Sequence, residues 1–256
     1  MEHPVSSGVI ITTPASFPSW PDAWSGNRLI DAMPPDLRAA LAGVLASVSL
    51  RLGDVLYEPG VIQRHVYFPV DCIVSLLYVL ESGQSAEIAV VGFEGMVGIS
   101  LFTGGGSTPS RAVVQSEGRA LRLGAEQFAR LVEGGGPLAQ VLLRYTQSLL
   151  TQMSQTAVCN RHHGLEQHLC RWLLLSLDRL SGNELVMTQE LIANMLGVRR
   201  EGVTEAAGKL QRLGLIRYAR GRITVLDRPG LERHACECYE VVRDETYRLL
   251  PPRCSH

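Results

Sequence analysis

No stretch of this sequence approaches the roughly 18 uninterrupted apolar residues of a membrane-spanning helix, and the first 30 residues lack a basic segment leading into an apolar one. The expectation is therefore a cytoplasmic protein with no membrane partner. Cysteines are few and scattered, at Cys72, Cys159, Cys170, Cys236, Cys238 and Cys254, without the density or spacing of a disulfide framework. Reduced thiols follow. Phosphate loops, nucleophile elbows and HExxH metal signatures are missing throughout, so neither an enzyme nor a resident cofactor is expected. Internal repeats are missing too, and biased composition is confined to a leader over residues 1–26, rich in Pro, Ser and Thr.

What is present suits two modules. A chain of 256 residues that is 46% hydrophobic can bury at least one good core, and domains usually settle near 100 to 150 residues. The net charge of −1 hides an asymmetry: residues 1–160 carry nine Lys and Arg against thirteen Asp and Glu, while residues 186–228 carry eight against four. A positive segment of that kind is the footprint of a phosphate-binding face, or more plainly a solvated charged surface.

A short helical pattern (Leu29, Ile30, Met33, Leu37, Leu41, Leu45) is interrupted at Pro34 and Pro35. From Leu50 to Leu123 the texture becomes short apolar and β-branched runs between turn residues, which predicts an all-β module. Beyond the breaker EGGGP, Leu138, Leu142, Tyr145, Leu149, Gln152 and Thr156 recur at steps of four and three, ending at Cys159. That heptad stripe fits a helix packed on its own domain or a dimer seam, and the narrow stripe on a long helix favours the dimer. A helix over residues 165–180, apolar on most sides, belongs in the second core.

The segment MTQELIANMLGVRREGVTEAAGKLQRLGLIRYARGRITVL, residues 187–226, carries the chemistry. Thr188 is a good N-cap for a helix whose buried stripe is Leu191, Ile192, Met195 and Leu196 and which stops at Gly197. In the helix that follows, Val203, Ala206, Ala207, Leu210 and Leu213 share one face, leaving Arg199, Arg200, Glu201, Thr204 and Glu205 outward. With Thr188 and Gln189 at the front of the first helix, this is a helix-turn-helix pattern. Arg donates two bonds to guanine, Glu accepts from cytosine, and Thr reaches a base edge or a thymine methyl. Next, GLIRYARGRITVL alternates around Gly221 and reads as a hairpin tipped by Arg220 and Arg222, a wing touching phosphates.

These motifs, with VCNRHHGLEQHLCRWLLLSLDRL, GDVLYEPG and EGMVGISLF, resemble transcription regulators of the Crp/Fnr family over roughly residues 27–245. The resemblance implies an α+β chain. A leader at 1–26 precedes a β-roll sensor of the cyclic-nucleotide-binding-like kind (a double-stranded β-helix) at 27–134. A dimerisation helix at 135–161, a winged helix-turn-helix at 162–230 and a C-terminal helix and tail at 231–256 follow. It also implies a homodimer on a two-fold operator in double-stranded DNA, with RNA polymerase as a further partner. Arg200 and Glu201 match the family's base-reading pair and Arg199 a phosphate contact, whereas Glu205 departs from the arginine common one turn on. In another class, the same winged helix serves a ligand-binding or partner-binding module through protein contacts.

The resemblance is least complete in the sensor. Cyclic-AMP-binding members carry Gly-Glu-Leu where this chain has Gly95, Met96 and Val97, and their Arg-Ser pair finds Ser110 and Arg111 in reversed order. Glu94 substitutes for the missing carboxylate only if the loop shifts. Cyclic AMP is thus not the expected effector, and no effector is identified. The iron–sulfur branch needs N-terminal cysteines, and none precedes Cys72. Two Cys/His groupings, Cys159/His163/Glu166/Cys170 and His234/Cys236/Cys238, invite a metal or redox reading; ordinary packing is the expectation for both.

Overall fold

The computed structural model describes residues 26–251; the leader, apart from Gly26, and Cys254 lie outside them. Asn27 caps the first helix, its Oδ1 accepting from the N–H groups of Leu29 and Ile30. The helical pattern is split at its prolines into α1 (Arg28–Asp31) and α2 (Pro35–Ala42).

Seven strands follow: β1 (Ala46–Leu50), β2 (Val55–Tyr57), β3 (His65–Pro69), β4 (Ile73–Val79), β5 (Ser85–Val91), β6 (Arg111–Ser116) and β7 (Gly118–Gly124). They form two antiparallel sheets, ordered β1-β7-β3 and β2-β6-β4-β5. Val48, Tyr67, Val74, Ala89 and Val114 close a core that draws on both sheets. This is the expected β-roll. β1 lies ahead of the expected stretch, which begins at Leu50, although Ser47 and Ser49 alternate with Ala46, Val48 and Leu50 as in a half-buried strand.

The chain then forms α3 (Ala125–Val132) and the 26-residue α4 (Pro137–His162), breaks at His163 and continues as α5 (Leu165–Leu177). A short strand, β8 (Glu184–Val186), precedes α6 (Gln189–Leu196), α7 (Arg200–Arg212), β9 (Ile216–Ala219) and β10 (Arg222–Val225). The expected hairpin is thus a three-stranded antiparallel sheet ordered β8-β10-β9, since β8 reads as a turn in the sequence. Last come α8 (Arg228–His234) and α9 (Cys238–Leu249). No described helix is long and apolar enough to cross a membrane.

The stripe on α4 is where the sequence reading fails. Leu138, Leu142, Tyr145, Leu149, Gln152 and Thr156 are all buried inside their own protomer. Leu138, Leu142 and Tyr145 complete a core with α1, α2 and β3, and Gln152 exchanges two hydrogen bonds with the backbone of Val90. The helix's exposed apolar residues are Leu143, Leu150 and Val158. The plainer alternative, a helix packed on its own domain, holds for that stripe.

Sensor and C-terminal module share a core. Ile73, Leu77 and Val90 of the roll pack in one cluster with Leu169, Trp172 and Leu173 of α5 and Ile192 of α6. Trp172 Nε1 donates to Glu87 at 3.0 Å, and Arg179 pairs with Glu94 at 2.7 Å. α9 runs antiparallel to α4 back toward the roll, with Ser148 opposite Thr246 and Cys159 beside Cys238. There Leu249 and Leu250 join Leu29 and Ile30.

Candidate nucleic-acid interface

Two short helices meet at a left-handed glycine. The Thr188 hydroxyl accepts the N–H of Leu191 and starts α6, and Gly197, at φ 65°, ends it. Val203, Ala206, Ala207 and Leu210 then seat α7 on the core, with Gly202 allowing close approach to α5: a Cβ there would lie 2.9 Å from Leu165. Leu213, expected on that buried face, is half exposed, because it caps the helix as the chain turns away.

The expected DNA-contacting residues divide by position. Thr188, Gln189, Arg200 and Arg220 line one open groove between the front of α6, the front of α7 and the wing tip, with Tyr218 and Gly221 as its floor. Thr204 joins them: its hydroxyl lies 2.9 Å from Gln189 Oε1 and 3.1 Å from the carbonyl of Arg200. One proton serves two acceptors there, so Thr204 fixes the crossing of the two helices as well as facing outward. Glu201 is exposed in the first turn of α7.

The others stand apart. Arg199 is exposed at the N-cap of α7, in a cleft against Tyr78, Leu80 and Ala86 of the sensor. Glu205 lines a separate cleft with Glu166, between α5 and α7. At the wing, Arg220 and Gly221 both take positive φ, 53° and 73°, which is the two-residue turn that suits hairpin twist. Arg220 is exposed there, whereas Arg222 pairs with Glu184 of β8 at 2.5 Å. Glu184 went unnoticed in the sequence because its strand did.

The groove sets two cations, Arg200 and Arg220, against one carboxylate, Glu190. Arg200 and Arg220 project into it, and the unpaired N–H groups at the front of α7, which no side chain caps, add the positive end of the helix dipole. Tyr218 is held neutral: burial raises its pKa, with Arg200 pulling the other way, and its hydroxyl donates to the carbonyl of Met187.

The expected effector residues lie in two places. Met96 is buried in the core, and the Tyr145 hydroxyl, its pKa raised by burial, donates to Met96's carbonyl at 2.7 Å. A Cβ on Gly95 would fall 2.4 Å from the Tyr145 ring, so this glycine is required by the helix across from it. Glu94 accepts from Arg179 and from the N–H of Gly92. Ser110 contacts Thr108, and Arg111, on β6, pairs with Glu58 at 3.0 Å.

Neither Cys/His grouping persists as a set. The break at His163 carries Glu166 away to Lys209, at 2.6 Å, and His234 is exposed. The remaining members meet across the two groups: Cys159, His163, Cys236 and Cys238.

A β-roll joined through a long helix to a winged helix-turn-helix with a cationic groove defines a DNA-binding regulator with a sensor domain. Residues 167–234 match the family model of the Crp-like helix-turn-helix domain, and residues 47–134 that of the cyclic nucleotide-binding domain. The chain belongs to the Crp/Fnr family of transcription regulators.

Solved structures agree on the fold. A transcriptional regulator assigned to this family from Eubacterium rectale superposes with a TM-score of 0.65 at 18% identity, covering 82% of this chain and 99% of its own. FixK2 of Bradyrhizobium japonicum gives 0.63 at 17%, covering 75% and 98%. A CRP/FNR-family regulator of Thermus thermophilus gives 0.58 at 27%, covering 74% and 97%. No curated protein matches the chain significantly.

Proposed function

We propose that the protein binds a two-fold symmetric DNA operator as a homodimer and regulates transcription there by contacts with RNA polymerase. The observation that carries this reading is the groove that gathers Thr188, Gln189, Arg200 and Arg220 beside the uncapped front of α7. An α-helix presented by its N-terminal end fits the major groove, and a cationic wing tip fits the phosphates beside it. The exposed stripe of α4 (Leu143, Gln147, Leu150, Ser154, Ala157) again steps by four and three, and is the surface a second copy would cover.

Duplex binding titrated against salt tests the phosphate contacts, which give a steep slope. Arg200→Ala should lower affinity for the cognate site by about 1 to 3 kcal/mol while changing affinity for random duplex far less. Equal losses on both would make Arg200 a phosphate contact and remove it from base reading.

The sensor, on this reading, does not use cyclic AMP. Met96 offers only a thioether, packed in the core, where the nucleotide-binding members offer a carboxylate to a ribose hydroxyl, and Glu94 is already engaged by Arg179. An unmet buried hydroxyl costs about 1 to 3 kcal/mol, or roughly one to two decades of affinity. Calorimetry with cyclic AMP should show no saturable heat, and operator binding should proceed without it. A micromolar isotherm would reverse this part of the reading.

A further inference from the structure

Two segments 77 positions apart bring four metal-binding side chains to one point. Cys159 lies in the last turn of α4, His163 sits at the break before α5, and Cys236 and Cys238 flank the start of α9. One ligand atom from each lies within 4.8 Å of all the others. The three sulfurs form a cluster of their own, with Cys159 fully buried and Cys236 and Cys238 nearly so.

The spacing is that of a mononuclear tetrahedral site. With zinc–sulfur bonds of about 2.3 Å and zinc–nitrogen bonds of about 2.0 Å, neighbouring sulfurs stand about 3.8 Å apart, and a sulfur and an imidazole nitrogen about 3.5 Å apart. Cys159 Sγ and Cys236 Sγ are 3.5 Å apart, and Cys238 Sγ and His163 Nδ1 are 3.6 Å apart. An iron–sulfur cluster spreads its thiolates over two or more irons and would hold these ligand atoms further apart.

The surroundings fit as well. His163 turns Nδ1 to the cluster while Nε2 faces Glu237 Oε2 at 3.3 Å, the carboxylate–imidazole pairing that fixes the ring of a metal-bound histidine. Three thiolates around a divalent cation leave one net negative charge. The buried guanidinium of Arg171 donates to Thr156, one turn before Cys159 on α4, and acts electrostatically on both Cys159 and Cys238, with its Nε lacking any hydrogen-bond acceptor among the described residues.

We propose that Cys159, His163, Cys236 and Cys238 bind a single zinc ion, with Glu237 orienting His163, and that the ion clamps the α4–α5 break to the start of α9. Zinc binding at this point does not depend on DNA binding, so its failure and that of the regulator reading are separable.

The test uses the full chain, purified without affinity metal and reconstituted with Zn²⁺ or Co²⁺. One metal ion per chain is expected, and the Co²⁺ form should show thiolate-to-cobalt charge transfer with the intense visible bands of a tetrahedral site. Cys238→Ser and Cys236→Ser should each abolish that spectrum, while Cys170→Ser, a neighbouring thiol outside the set, should leave it intact. Glu237→Gln, which changes an exposed side chain and leaves the core untouched, should weaken Zn²⁺ binding about 10- to 100-fold in a chelator competition. Three outcomes each overturn the assignment: a weak octahedral spectrum, no bound metal in a folded chain, or two thiols lost to a Cys159–Cys236 disulfide on air exposure with no metal uptake.

Discussion

Glu87 is a carboxylic acid placed where ionisation is penalised. Burial pushes its pKa up to about 7, against the opposing pull of the neighbouring Ser75 hydroxyl, the Trp172 hydrogen bond and the charges of Arg171 and Arg179. The native state thus keeps a proton between about pH 4.5 and 7 that the unfolded chain releases. Glu87's contribution to stability is therefore fully present below about pH 4.5 and is lost as pH rises through about 7. Glu87→Gln should abolish that slope, its melting temperature gaining on the parent's as pH rises from about 5 to about 8. The effect is about 3 kcal/mol at most. A gap that stays constant with pH would mean that Glu87 titrates normally. At this scale the sequence is a poor guide, since nothing in SAEIAVV marks the glutamate that the roll turns toward Trp172.

A helix packed on one side and offered on the other carries two interleaved stripes, and α4 has both. Both step by four and three, but the inner stripe is unbroken apolar at its front, so the sequence pattern selects it; the outer one alternates Leu143 and Leu150 with Gln147, Ser154 and Ala157. Leu143→Glu with Leu150→Glu should leave the fold intact, halve the mass seen by sedimentation and abolish operator binding. Leu142→Ala, by contrast, should cost about 2 to 5 kcal/mol of stability through the cavity it leaves. If the outer pair left the mass unchanged, the dimer contact would lie elsewhere. Elements with strong punctuation were legible in the sequence: the proline-split helices, the helix-turn-helix with Thr188 and Gly197, and the wing with Gly221. Two short strands were not: β1, which follows directly on the helical pattern ending at Leu45, and β8, which reads as part of a turn, and with β8 went the partner of Arg222. The four-residue Cys/His cluster was illegible for another reason: each half looked incomplete until the fold superimposed them.

Across the whole molecule, sensor and reader are joined by a buried apolar cluster and by the Arg179–Glu94 pair, which a flexible linker would not provide. Scanning calorimetry should accordingly record one cooperative transition, and two resolved peaks would show that the shared core contributes little. Arg28 adds to the closure beside the Arg179–Glu94 pair, its guanidinium lying over both Phe93 of the roll and Tyr247 of α9.

That return of α9 to the roll bears on how the chain is made. Leu249 and Leu250 belong to the same core as Leu29 and Ile30, yet are added about 220 residues later. At synthesis rates of about 5 to 20 residues per second the interval is roughly 10 to 45 s. During it the β-roll waits with part of its apolar surface uncovered, and its assembly is finished only when α9 is made.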